Sequence, residues 1–193
     1  MRRRFVSRIF RPVRDARPEV TLLKSNHPIV ITGFMGCGKT KVARELAREL
    51  DVAMVDLDDV ITKRVGRSPA QLIVADGERA FRVLETDSLR HVLEIGAARV
   101  IALGGGAWIQ KANRQLINEY SCLSVWLDVP FEMCWTRIAA SQEDRPLGRT
   151  REQALALYEQ RRPIYELANI HIAVREESVE DFISRLLHLL EHE

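Results

Sequence analysis

The stretch IVITGFMGCGKTKVARELAREL, residues 29–50, decides the fold. Residues 28–32 are short, branched and apolar, bounded by Pro28 and Gly33, which reads as a buried strand. From Lys39 onward apolar residues fall at Val42, Ala43, Leu46, Ala47 and Leu50, which is helical spacing. Between strand and helix, Gly33, Gly38, Lys39 and Thr40 fit G-x-x-x-x-G-K-[ST], the phosphate-binding loop. Glycines let the backbone curl so that its N–H groups point at phosphate oxygens, and the start of the helix adds a positive dipole end. Lys39 is expected to reach the β- and γ-phosphates and the Thr40 hydroxyl to bind Mg²⁺. Gly36, Cys37, Gly38, Lys39, Thr40 and Lys41 are the candidate nucleotide contacts; Cys37 offers its backbone N–H, and its thiol is incidental. The loop announces a nucleotide and leaves the second substrate open.

The rest of the chain repeats the alternation. Strands are expected at 52–56, 99–103, 122–127 and 170–174, and helices at 58–65, 68–75, 78–95, 111–119, 130–139, 151–168 and 179–188. Pro130 suits a first helical turn, Pro163 sits near the end of its helix, and residues 141–150, SQEDRPLGRT, form a polar loop. Five strands alternating with helices predict an α/β parallel sheet covered on both faces. Ligands in such sheets bind at the carboxyl ends of the strands. Those ends carry the phosphate loop, then Asp56 and Asp58, then Gly104, Gly105 and Gly106.

Phosphoryl transfer is mostly positioning and charge neutralisation. Asp56 and Asp58 alternate, so on an extended strand end they share a face. One would hold a metal-bound water and the other would accept the acceptor's proton; the plainer reading is that they cap the following helix. Three successive glycines are costly in backbone entropy and make sense where a ligand lies against the chain. Arg82, Arg145 and Arg161 stand in separate segments near these features. A carboxylate substrate would use a bidentate guanidinium, and a mobile loop such as 141–150 would carry an arginine to the γ-phosphate on closing. The residues alone therefore point to a small-molecule kinase with an acidic acceptor.

The chain of 193 residues is most simply one domain with a substantial core. The eight Lys/Arg and two acids of residues 1–26 balance to +6, while the remainder holds 21 bases and 25 acids, so the net +2 belongs to a tail. A solvated, flexible extension is the plain reading of 1–26, with a nucleic-acid or membrane-surface arm as the alternative. The segment lacks an apolar core and is poor in serine, which argues against a targeting peptide. No apolar run is long enough to span a bilayer. The three cysteines, Cys37, Cys122 and Cys134, form no C-x-x-C pair, and the five histidines show no metal-ligand spacing, so a reducing cytoplasm fits best.

From residue 29 to 175 the sequence resembles the shikimate kinases. The likeness rests on GFMGCGKT, DLDDVI, GRSPAQLIVADGERAFRVLE, ALGGGAW, DRPLG and YEQRRPIYELA, in that order. The resemblance implies a three-layer P-loop kinase fold of the nucleoside-monophosphate-kinase type, strand order 2-3-1-4-5, with a mobile lid at about 141–150 on a domain covering 27–193. It implies Mg-ATP-dependent transfer to the 3-hydroxyl of shikimate, with ATP and Mg²⁺ as cofactors, by a cytoplasmic monomer that binds neither nucleic acid nor membrane.

By motif, Asp58 resembles the carboxylate that activates the hydroxyl, and Asp56 the one that orders Mg²⁺ through water alongside Thr40. Arg82 and Arg161 resemble the pair on the shikimate carboxylate, with Glu85 holding Arg82. Gly104, Gly105 and Gly106 resemble the wall against shikimate, Arg145 the lid arginine on the phosphates, and Arg137 the side chain packed on adenine. Two departures stand out. The usual R-P-L-L here reads Arg145-Pro146-Leu147-Gly148, which would loosen the lid, and Arg162 adjoins Arg161, although the spacing to Pro163 and Tyr165 favours Arg161. Two other readings are a different small-acid kinase of the same architecture, such as a gluconate kinase, and a catalytically silent kinase-fold module. Arg82, Arg161 and the triple glycine argue against the first, and the presence of Lys39, Asp58 and Arg145 against the second.

Overall fold

The computed structural model describes residues 27–96, 98–141, 146–175 and 177–191. The basic extension at 1–26 and Arg145 lie outside the described residues. Five parallel strands, β1 (Ile29–Thr32), β2 (Met54–Asp56), β3 (Val100–Ala102), β4 (Leu123–Asp128) and β5 (Ile170–Ala173), form one sheet in the order β2-β3-β1-β4-β5. β1 is the middle strand, in register with β3 from Ile29 opposite Val100 and with β4 from Ile29 opposite Leu123. Its four residues are all buried, as a strand covered on both faces requires. At the edge, β5 alternates instead: Ile170 and Ile172 are buried, and His171 and Ala173 are exposed.

Eight α-helices connect and cover the strands: α1 (Lys39–Leu50), α2 (Leu57–Val65), α3 (Pro69–Asp76), α4 (Glu78–Ile95), α5 (Lys111–Glu119), α6 (Phe131–Ala140), α7 (Arg151–Tyr165) and α8 (Val179–Leu190). α4 and α5 begin and end where their periodicity places them. α7 stops at Tyr165 rather than Ala168, shortly after Pro163, and Pro130 is the cap of α6 rather than its first residue. A 3-10 turn at Ala107–Ile109 follows the triple glycine, where no helix was expected. α3 starts on a Ser68–Gln71 capping box and α7 on a Thr150–Gln153 one, each satisfying backbone donors at the helix start. Among the described residues no helix is long and apolar enough to cross a membrane.

One expectation is corrected at β2. Asp56 and Asp58 do not share a face of an extended strand. The strand ends at Asp56, whose carboxylate accepts from the Asp58 backbone N–H at 3.0 Å and so caps α2. Asp58 is thereby carried into the first helical turn and inward, while Asp56 stays at the sheet end.

Candidate active site

The phosphate loop has the geometry its glycines imply. Gly36 and Gly38 hold φ of 74° and 97°, in the region that favours glycine. A side chain at Gly36 would also stand 2.7 Å from the carbonyl oxygen of Cys134 on α6. Lys39 is 9% exposed and donates to the carbonyls of Gly33 at 3.1 Å and Phe34 at 2.9 Å. The Thr40 hydroxyl donates to Asp56 Oδ2 at 2.6 Å. Asp56 thus serves both readings at once, capping α2 with one oxygen and meeting Thr40 with the other. Thr40 and Asp56 are hard oxygen donors, and Mg²⁺ is characteristically held by one or two such groups together with substrate phosphates. Among the described residues there is no cluster of three or more His, Cys, Asp or Glu side chains that would make a self-sufficient metal cage. The pair therefore fits a Mg²⁺ that arrives with the nucleotide.

Beside the loop, a groove is lined by Cys37, Gly38, Lys41, Val42, Arg137 and Phe182, among others. Arg137 donates to the carbonyls of Gly36 at 3.2 Å and Cys37 at 3.3 Å, so it spans from α6 to the phosphate loop. All three cysteines are buried free thiols. Burial pushes Cys122 up to about 11 and Cys134 to about 12, so both stay protonated at neutral pH.

On the other side of the loop lies a cavity of about 120 Å³. Asp58, Arg82, Glu85, Arg161 and all three glycines line it, with Met35, Pro146 and Leu147. Glu85 is fully buried on α4, and Arg82, one turn earlier, donates to its two oxygens at 3.0 and 2.9 Å. The other edge of the guanidinium donates to Glu78 at 3.0 Å through Nη2. Burial pushes Glu85 up to about 7 in spite of Arg82, whose charge and hydrogen bonds pull the other way. Asp58 rises to about 6, first by burial and then by repulsion from Asp56, against the pull of Lys39 and Arg82. Its Oδ1 has no hydrogen-bond partner among the described residues.

The triple glycine lines the cavity and also packs closely against the site's own residues. None of the three holds a positive φ. A Cβ on Gly104 would sit 2.7 Å from Asp58 Oδ1, one on Gly105 3.2 Å from the Met35 nitrogen, and one on Gly106 would overlap Arg82. The glycines therefore make room first for the site's own carboxylate, loop and guanidinium.

Arg161 is 8% exposed and reaches the cavity, whereas Arg162 turns away to pair with Asp128 at 3.1 Å and to donate to the Tyr158 hydroxyl at 3.1 Å. The sequence reading overlooked Met35 and Glu78. Glu78 was open to discovery as the i−4 partner of Arg82; Met35 carries no signal, being one apolar residue inside a glycine loop.

A family model described as shikimate kinase matches residues 35–191. The chain is 37% identical over 175 residues to a shikimate kinase of Cereibacter sphaeroides, covering 89% of this chain and 85% of that one. It is 38% identical to a shikimate kinase of Ruegeria pomeroyi, with 82% of each chain covered. Among solved structures it resembles a shikimate kinase from Acinetobacter baumannii in complex with shikimate, at TM-score 0.78 and 30% identity over 85% of this chain and 92% of that one.

Proposed function

The chain belongs to the shikimate kinase family, and from that premise we propose which of its residues carry the reaction. The enzyme transfers the γ-phosphate of Mg-ATP to the 3-hydroxyl of shikimate, giving shikimate 3-phosphate and ADP in aromatic amino-acid biosynthesis. Asp58 takes the proton of the acceptor hydroxyl as that oxygen attacks phosphorus. The observation that carries this reading is Asp58, which lines the acceptor cavity beside the phosphate loop and whose buried Oδ1 has no hydrogen-bond partner among the described residues. A raised pKa also suits a proton acceptor working near neutrality.

Arg82 and Arg161 hold the acceptor carboxylate, Glu85 fixes Arg82, and Gly104, Gly105 and Gly106 form the wall between those charges. Lys39 exchanges its two carbonyl partners for β- and γ-phosphate oxygens, and the loop amides of Gly36, Cys37, Gly38 and Thr40 hold the rest. Lys41 and Arg137 border the nucleotide groove, and Arg145 supplies the lid cation. Thr40, with Asp56 acting through water, would hold Mg²⁺, which neutralises the phosphate oxygens as charge moves to the leaving group. We further propose that residues 27–193 suffice for catalysis as a monomer in the cytoplasm, with no nucleic-acid or membrane partner. The free buried thiols support the reducing compartment.

The test is shikimate-dependent release of ADP from Mg-ATP, run with and without residues 1–26. Asp58→Asn should abolish turnover and leave ATP binding nearly intact. Weak ATP binding by that variant would contradict the role given to Asp58. Loss of activity on removing 1–26 would contradict the proposed boundary.

A further inference from the structure

The hydroxyl of Tyr165 requires an explanation that packing does not supply. Tyr165 closes α7, 2% exposed, with its ring stacked near Trp126 at 6.3 Å between centroids. A phenylalanine would fill that space equally well. The hydroxyl instead donates to the carbonyl of Gly105, the middle residue of the cavity wall, at 2.5 Å. Arg161 stands four residues earlier on the same helical face, so its charge falls beside the Tyr165 hydroxyl. A second bond runs parallel: Trp108 Nε1, two residues beyond the glycines, donates to the Ile164 carbonyl at 2.8 Å. The glycine turn and the carboxyl end of α7 are therefore joined twice, and Tyr165 is the member of that joint that shares a helical face with Arg161. Tyr165 itself is not part of the cavity lining.

We propose that Tyr165 is a positioning residue: its hydroxyl fixes the Gly105 carbonyl and the Arg161 guanidinium relative to each other, so that wall and cation offer the acceptor one spacing. The inference rests on Arg161 holding the acceptor carboxylate. Tyr165→Phe deletes the hydroxyl and keeps the ring. Its KM for shikimate should rise about five- to tenfold, the size expected for one lost hydrogen bond. kcat should stay within about twofold and KM for ATP should not change. A purely structural role would lower Tm and disturb both substrates alike.

The same change made in an Arg161→Lys background separates the possibilities, because residues acting through one another are not additive. With no guanidinium to position, Tyr165→Phe should then shift KM by less than about twofold. A full five- to tenfold effect in that background overturns the inference. So does an unchanged KM in the single variant, or a Tyr165→Phe chain that fails to fold by circular dichroism. Arg161→Lys alone tests the underlying reading: an unchanged KM for shikimate would sink both claims. A raised KM there, with no effect of Tyr165→Phe, sinks only the role of Tyr165.

Discussion

Replacing Asp58 by asparagine should stabilise the protein even as it removes turnover. The carboxyl loses its proton at about 6 inside the fold, against an ordinary 3.8, because burial and then Asp56 disfavour its charge more than Lys39 and Arg82 favour it. Above pH 6 the group is ionised in both the folded and the unfolded chain, and the fold carries the whole cost. At about 1.4 kcal/mol for each tenfold change in proton affinity, that cost is about 3 kcal/mol. Below 3.8 the group is protonated in both states and the cost vanishes. Between the two values the folded chain binds more protons than the unfolded one, so this group's contribution to stability improves as pH falls. Asparagine keeps the shape without the charge. Its advantage should therefore be about 3 kcal/mol at pH 7.5 and about half of that at pH 5. For a chain of this size the first figure corresponds to a Tm higher by roughly 6–12 °C. Urea and thermal unfolding, followed by circular dichroism at both pH values, measure the difference. An asparagine variant no more stable than the parent at pH 7.5, or one with equal advantage at both, refutes the reasoning.

The remaining predictions concern the acceptor side. Arg161→Ala should raise KM for shikimate by about a hundredfold, as loss of a charge-assisted bidentate contact implies. Arg162→Ala, which loses its pair with Asp128 and its bond to the Tyr158 hydroxyl, neither of them at the cavity, should leave that KM unchanged. kcat/KM for shikimate should fall about tenfold per pH unit below about 6 as Asp58 takes up a proton, and a profile flat from pH 5 to 8 would remove Asp58 as the base. Gly148→Leu should raise KM for shikimate with little change in Tm. Gly148 holds no positive φ, and its missing Cβ would stand 2.7 Å from Met35 Cε, so a larger side chain displaces the methionine that lines the cavity. Glu78→Gln should alter acceptor binding by less than about threefold, because its pair with Arg82 is 45% exposed on the glutamate side. Glu85→Gln, cutting the buried side of the same guanidinium, should weaken it by more than tenfold, read as KM for shikimate.

Most of the fold is legible because its elements carry their own boundaries. The strand of β1 lies between a proline and a glycine, and α4 runs from just after Gly77 to just before Gly96 with apolar residues in step throughout. The misjudged ends are those where a side chain outside the helix decides. Asp56 looks like the last residue of a strand and is also the cap of α2, so counting alternate residues onward to Asp58 applied the wrong period. The 3-10 turn after Gly106 was illegible for a related reason: only three residues long, it is anchored by Asn113 donating to the Ala107 carbonyl from the next helix.

The site was legible as a set of residues and not as a mechanism of packing. The choice of Arg161 over Arg162 came from the family motif, through its spacing to Pro163 and Tyr165; in the structure Arg161 lines the cavity and Arg162 pairs with Asp128. What sequence could not supply is the identity of whatever stands opposite each glycine. An entropic argument assigns three glycines to a ligand. The structure adds Asp58, Met35 and Arg82, which pack against the same glycines beside the cavity they line. Two carboxyl groups, Asp58 and Glu85, come close to one strand end while remaining largely buried; a Cβ on Gly104 would press on both of them, and one on Gly106 would displace Arg82. The glycines thus permit a concentration of charge that is unfavourable for folding, and burial raises both carboxyl groups above their ordinary range. That same dehydrated environment makes Asp58 basic enough to accept a proton near neutrality, so the stability cost and the catalytic role proposed for Asp58 have one physical origin.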